Sequence, residues 1–483
     1  MVVNSLNFLW FFLIVLVIYY LCQKKKELQN VFLLLSSYWF YAQVNIKMTL
    51  LLVILTLTFW ILGKGIAYYL DKEEERKAAV ITNTGIVIGI GALFYFKYLN
   101  FFAESVASFA SLLGLHLSWT ALHLVVPIGL SFFTFKLMSY VLDIYNGKIT
   151  PEKNVVSFAN FIAFFPTILS GPIDRPKPFL KQVNQVRLFN PDNFLIGFRR
   201  VLWGMFLKMC IADRLDIYIS AIFDNYAHHS SISILIASFL YPLQMYADFA
   251  GYSDMAIGVA LILGFKVAEN FKRPFFSTNI SEYWRRWHMS LTSWLTDYVF
   301  LPLNIKFRRY GVRGTIGAII INMLFVGLWH GANWTFFVFG LYHGLLFIPL
   351  LLNGMFYTKC NNCYNISSAI ILVSKIAGTY LLITIGQFIF RAPSISDAYS
   401  IISHIFDSWN GGLFIDMSTM INAAICSIAL IYVDIQEEWF PKKRIHLPTW
   451  AERWRWELTV TVEIICILLF GVFDNNQFIY FQF

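Results

Sequence analysis

The chain has 483 residues, of which 58% are hydrophobic, 18% aromatic and only 13% charged, with a mean hydropathy of +0.62. A soluble protein of this size carries about a quarter charged residues, so a soluble enzyme is excluded. The net charge of +9 is gathered in short basic loops, which suits anionic lipid headgroups rather than nucleic acid.

Apolar runs at 1–21, 48–66, 80–96, 315–329, 334–352, 369–389 and 460–473 each supply most or all of a bilayer span, which needs ~20 apolar residues. Weaker candidates lie at 30–43, 119–142, 154–170, 232–247 and 418–433. The expected class is therefore an all-α polytopic membrane protein with roughly ten to twelve embedded segments. The first run is too long for a signal-peptide core and is followed by Cys22 and Lys24–Lys26, so it is expected to remain as a helix. Basic loops at 24–26, 72–77, 148–153, 266–273 and 306–313 are expected on the cytoplasmic side, with both termini outside. Of the six cysteines only Cys360 and Cys363 have metal or disulfide spacing, and no second pair completes a site. No soluble domain, repeat or low-complexity linker interrupts residues 1–483, which are expected to form a single membrane domain.

Residues 155–345 differ from the bland spans around them, because Gly, Pro, Asp, Arg and His break their apolar character in dense blocks. Polar or non-helical backbone at membrane depth is tolerated where it lines a cavity or is buried in protein. The stretch 161–176 carries Pro166, Pro172 and Pro176 and suggests a re-entrant hairpin. Arg175 at its end is placed either to meet an anionic donor or to anchor the chain at headgroups. In 198–214, Arg200, Gly204 and Lys208 share a helical face, and the pattern predicts an interfacial helix that snorkels its cations.

Tyr246, Asp248, Ser253 and Asp254 follow in an apolar neighbourhood, with Gly251 a candidate helix break between the carboxylates. Buried carboxylates require cations, and Arg200, Lys208 or Arg286 qualify. Asp248 and Asp254 are thus either structural ion pairs or the lining of a polar passage. In 283–294, Trp284, Trp287 and Trp294 form a stripe with Leu291, while His288 points elsewhere. The block 322–344 holds Trp329, His330, Gly331, Asn333 and His343. Glycines beside His330 let another backbone or a ligand approach closely.

Two imidazoles framed by tryptophan in hydrocarbon surroundings point to proton chemistry. The sequence has no phosphate-binding loop, dinucleotide fingerprint, H-E-x-x-H or G-x-S-x-G element. A histidine base without a protein nucleophile suits activation of a substrate hydroxyl against an acyl carbonyl. A secondary transporter or proton-coupled flippase is the alternative, on the strength of broken helices and intramembrane Asp248, Asp254 and His330.

At 164–175, 204–213, 246–258, 270–274, 283–303 and 327–344 the chain resembles the membrane-bound O-acyltransferase family. The likeness is to the bacterial branch with alginate and peptidoglycan O-acetyltransferases and the teichoic-acid D-alanyl transfer protein. It implies a ring of helices around a central tunnel, a catalytic core within 155–345 and a location in the bacterial inner membrane. By the same resemblance His330 is the catalytic histidine and His288 the second. Tyr246, Asp248, Ser253, Asp254, Arg286, Trp287, Trp329 and Asn333 would line the tunnel, and Arg175 would face the donor. No metal or bound cofactor is implied. The expected acyl group is acetyl, delivered as acetyl-CoA or an acyl-carrier-protein thioester. The expected partners are membrane lipids, an extracytoplasmic acetyltransferase or esterase-like protein and a polysaccharide acceptor. The tail 474–483 contains Phe478, Tyr480 and Phe483, similar to an acyl-transfer motif in which Tyr480 would carry the acyl group.

Overall fold

The computed structural model describes residues 3, 5–115, 117, 119, 121–122, 124–356, 366–409, 412–414, 417–440 and 449–473. Among them the regular structure is helical throughout. Among the described residues seven helices are long and apolar enough to cross a membrane: Ile46–Asp71, Glu75–Leu112, Ser231–Ile262, Met289–His330, Trp334–Leu352, Ser367–Arg391 and Met420–Trp439. Leu6–Leu21 is a shorter apolar helix. Exposed leucine, isoleucine, valine and phenylalanine side chains cover these helices, as expected where the solvent is lipid and backbone groups must be satisfied within the helix.

The chain forms two compact units, one of Met1–Phe198 with Ala256–Ala268 and one of Arg199–Met255 with Glu269–Phe483. In the first, the rings of Phe8, Phe11, Phe40 and Phe165 interlock at centroid distances of 5.3–6.4 Å. Arg187 is buried there, and its guanidinium donates to the Tyr19 hydroxyl at 2.6 Å and to the Val183 carbonyl at 2.9 Å. The proline-broken segment ends one helix at Ala163 and starts the next at Pro176. Between them Phe164–Asp174 is non-helical and buried, in keeping with a broken segment enclosed by protein.

The second unit is organised by a close helix crossing. The helix Pro191–Phe206 continues through a π-helical turn, Leu207–Ala212, and meets Ser231–Ile262 where Gly204 faces Gly251. A Cβ at Gly204 would lie 2.5 Å from the Gly251 carbonyl oxygen, and one at Gly251 would lie 2.7 Å from that of Gly204. Neither position admits a side chain without separating the helices. Ion pairs stand on both sides of the contact. Arg200 Nε donates to Asp254 Oδ1 at 2.8 Å and its guanidinium forks onto Glu269. Lys208 Nζ lies 2.5 Å from Asp248 and 2.8 Å from Asp213.

This corrects two expectations. Lys208 does not snorkel, because it is only 4% exposed and its charge is met inward by two carboxylates. The helix also runs unbroken through Gly251, whose small size serves the crossing rather than a break. With one ammonium between two buried carboxylates, burial pushes the Asp213 carboxyl up to about 7, against the opposing attraction of Lys208.

Removing one partner of a buried ion pair costs about 3–5 kcal/mol. Lys208→Met should lower stability by that order, read as loss of cooperative thermal unfolding in detergent, while Lys208→Met/Asp213→Leu/Asp248→Leu should recover much of it. The raised Asp213 pKa adds a pH signature. Its stabilisation is fully present below the ordinary value of 3.8 and is lost as pH rises through about 7, with a slope of at most about 1.4 kcal/mol per pH unit. Asp213→Asn should therefore flatten the fall in melting temperature between pH 5 and 8, and an unchanged slope would refute the assignment.

Candidate active site

Two loops of the second unit are zipped together by backbone hydrogen bonds. Lys272 N–H donates to the Arg286 carbonyl at 2.9 Å, and Met289 N–H donates to the Asn270 carbonyl at 2.8 Å. Each loop contains a non-glycine residue in the left-handed region, Arg273 at φ 48° and His288 at φ 43°. Such backbone is costly outside glycine and persists where the surroundings over-determine it. Here it places His288 at the N-cap of the helix Met289–Leu295 with its side chain fully buried.

Asn270 holds that imidazole. Its Oδ1 receives the Ser290 hydroxyl at 2.6 Å and the Ser290 backbone N–H at 3.4 Å, and lies 3.3 Å from His288 Nδ1. Its Nδ2 donates to Ser253 Oγ at 3.0 Å. A backbone N–H can only donate, so the amide atom facing it is the oxygen. The same oxygen accepts from His288, which puts the imidazole proton on Nδ1 and a lone pair on Nε2. Burial holds His288, just ahead of the span Met289–His330, far below its usual range at about 3. The ring is therefore neutral and of fixed tautomer.

His330 closes the helix Gly311–His330. The chain reverses through the extended Gly331, and Asn333 caps Trp334–Leu352 by accepting from Thr335 N–H at 3.1 Å. The two helices meet at glycine: a Cβ at Gly327 would stand 2.1 Å from the Phe336 carbonyl oxygen, and one at Gly340 would stand 2.5 Å from that of Met323. This contact sets His330, 4% exposed, among Phe339 and Phe390 at centroid distances of 6.1 and 5.1 Å. Trp329 joins the two histidines. Its indole is edge-on to His288 at 5.3 Å and to His330 at 5.0 Å. Phe249 closes the other side of His288 at 4.6 Å. The result is two imidazoles in an aromatic, water-poor setting, suited to moving a proton without solvent competition.

The remaining sequence-selected residues divide into groups. Ser253 belongs to the Asn270 network. Tyr246 is buried, donates to Asp434 Oδ2 at 3.3 Å and packs near Trp287 at 6.3 Å. Trp287 stacks on Tyr283 at 5.5 Å. Arg286 bridges Glu282 at 2.6 Å and Glu438 at 2.8 Å, and so ties the histidine loop to the helix Met417–Trp439. Asp248 and Asp254 belong to the helix crossing. Arg175 is half-buried in the first unit, next to Asp174, whose Oδ1 accepts from Ala268 N–H at 2.9 Å. Tyr480 and the Cys360/Cys363 pair lie outside the described residues. Among the described residues no three His, Cys, Asp or Glu side chains converge as metal ligands.

Sequence reasoning missed Asn270, Ser290 and Glu438. Asn270 stands in Glu269-Asn270-Phe271-Lys272-Arg273, whose charges read as a plain basic loop. Its one signal was an amide beside Phe271, 18 residues before His288.

The architecture is that of a multi-pass membrane protein with two buried histidines packed against one indole. Residues 152–361 match the membrane-bound O-acyltransferase family. The chain is 35% identical to the probable alginate O-acetylase AlgI of Pseudomonas putida over 84% of its own length and 80% of that protein. It is 29% identical to the peptidoglycan O-acetyltransferase of Helicobacter pylori over 78% and 74% of the two chains. It is 34% identical to the teichoic acid D-alanyltransferase of Bacillus subtilis over 46% and 58%. The protein therefore belongs to the membrane-bound O-acyltransferase family and is a bacterial O-acyltransferase, for which the acyl donor is a substrate rather than a resident cofactor.

Asn270→Asp would replace the amide beside His288 with a carboxylate and stabilise the imidazolium. The acid limb of the pH–rate profile should then move up toward neutrality, because protonated His288 loses its lone pair. Mere structural damage would lower the rate at every pH without moving the limb.

Proposed function

We propose that the chain transfers an acyl group, with acetyl as the expected one, from a thioester donor to a hydroxyl destined for a cell-envelope or secreted polysaccharide. The relatives named for alginate, peptidoglycan and teichoic acid support that acceptor class. Acetyl-CoA or an acyl-carrier-protein thioester supplies the acyl group, and an extracytoplasmic acetyltransferase or esterase-like partner receives it for the final acceptor. The whole chain acts as one catalytic domain, with its chemistry in 155–345 and residues 474–483 as an acyl-accepting tail. Arg175 serves the donor side, where its guanidinium suits a phosphate-bearing thioester.

His330 is the general base. Its imidazole takes the proton of the attacking hydroxyl as the oxygen adds to the thioester carbonyl. The tetrahedral intermediate then collapses, the carbon–sulfur bond breaks and the thiolate takes the proton back from the imidazolium. His288, neutral and fixed by Asn270, presents Nε2 as a second acceptor. Trp329 keeps the two rings apart at a set spacing. Tyr246, Ser253, Trp287 and Trp329 line the reaction path, while Asp248, Asp254, Arg286 and Asn333 hold its frame. Tyr480 is the first hydroxyl to be acylated. A phenol has a pKa of ~10 and is a poor nucleophile unaided, so it depends on the imidazole base.

The observation that carries this reading is the pair of imidazoles on either side of one indole, at 5.3 and 5.0 Å. General-base help is worth ~10²–10⁴ in rate. In vesicles supplied with radiolabelled acetyl-CoA, His330→Ala should lower acetyl transfer by that factor while thermal unfolding stays unchanged, and full retained transfer would reject the role. Tyr480→Phe should remove label from the tail peptide, and unaltered labelling of that peptide would rule out the carrier step.

A further inference from the structure

A cavity of about 800 Å³ lies in the second unit, and neither His288 nor His330 lines it. Its walls come from Ser231–Ile262, Ile366–Arg391 and Met417–Trp439, with Phe275 and Phe276 contributing from the loop that follows Arg273. It opens sideways, since Phe239, Val373, Leu381 and Ile431 line it and are also exposed. Three of its walls overlap candidate membrane spans, so the opening faces the medium those spans occupy.

The walls leave a ligand little to hydrogen-bond. The Tyr380 hydroxyl donates to the Phe239 carbonyl at 2.7 Å, that of Tyr218 to the Phe414 carbonyl at 3.2 Å, and that of Tyr246 to Asp434 at 3.3 Å. With these hydroxyls committed to the protein, the remaining wall is almost wholly hydrocarbon. An apolar cavity of this kind does not hold water, and its size lies within the range of sites that enclose an organic ligand. An acetyl group is far too small to fill it, whereas a hydrocarbon chain matches its size and its apolar wall.

One end of the cavity carries charge. Asp434 is in the wall, and Glu437 and Glu438 follow within a turn on the same helix. Arg273 pairs with Glu437 at 3.0 Å and Glu438 at 2.7 Å, while Arg286 pairs with Glu438 and Glu282. Among the described residues of this cluster, four carboxylates face two guanidiniums, and the excess is negative. A cationic group complements it.

We propose that this cavity is a phospholipid site, entered from the bilayer, that takes one acyl chain and favours an ammonium-bearing headgroup such as that of phosphatidylethanolamine over an anionic one. The cavity wall includes Tyr246, whose ring packs near Trp287, the residue before His288. Through Tyr246, which the proposed function places on the reaction path, occupancy thus supports the aromatic layer behind the second histidine.

The test uses the full chain in phosphatidylcholine vesicles doped with phosphatidylethanolamine or phosphatidylglycerol bearing a diazirine in the acyl chain. After photolysis, peptides are mapped by mass spectrometry. The phosphatidylethanolamine probe should label the Ile366–Arg391 and Met417–Trp439 helices more strongly than the phosphatidylglycerol probe. Ala424→Phe, which fills the cavity, should abolish that labelling. Glu437→Gln leaves the cavity open and should erase the headgroup preference while labelling persists, so a folding defect in the first variant does not decide the matter. Equal labelling by both probes in the unsubstituted protein would overturn the headgroup assignment. Labelling undiminished by Ala424→Phe in folded protein, or confined to other helices, would overturn the site.

Discussion

The second unit depends on the cost of burying charge at a helix crossing. Gly204 and Gly251 bring two backbones into contact, and only there do Arg200 and Lys208 reach Asp254 and Asp248. Close approach and charge neutralisation are coupled. Without the glycines the ions are stranded in a medium that cannot solvate them, and without the ions no specific register holds the glycines opposite each other.

That register decides the site, because the helix Ser231–Ile262 has two working faces. Asp248, Gly251 and Asp254 meet the crossing helix, whereas Tyr246, Phe249 and Ser253 recur at i, i+3 and i+7 on another face. From there Phe249 touches the His288 ring, Ser253 accepts from Asn270, and Tyr246 packs near Trp287. The polarity of the crossing is thus converted into the placement of the imidazole. Arg286 and Arg273, paired with Glu438, brace the same loop from the helix Met417–Trp439.

Helices were legible because their signal is local. The apolar run expected at 334–352 coincides with the helix Trp334–Leu352, and that at 48–66 lies within Ile46–Asp71. The two histidines stood out for the same reason, as titratable groups in apolar sequence flanked by tryptophan. What the sequence left open was which groups pair. Lys208 at helical spacing from Arg200 reads both as an interfacial cation and as a candidate partner for a buried carboxylate, and no local pattern decides between them because Asp248 is forty residues away in the chain. Asn270 carried no periodic signal at all. Its role exists only because the loop zippers onto the backbone around His288, a tertiary fact without a local pattern.

The pairing also bears on what the membrane-embedded polar groups do. Asp248 and Asp254 were the carboxylates that made a proton-coupled transporter conceivable. A relay needs a carboxylate that changes partner or charge during the cycle, yet these two are locked to Lys208 and Arg200 across a glycine contact that admits no rearrangement without separating the helices. Their charge is spent on architecture. The proton handling proposed above then falls to the imidazoles, which sit in aromatic contact with one shared indole. A neutral histidine of fixed tautomer in such surroundings is arranged for a short proton transfer at one place rather than conduction along a chain of sites. That arrangement is the one the proposed histidine base requires, since it would take a proton from a hydroxyl and return it to the departing thiolate at a single place.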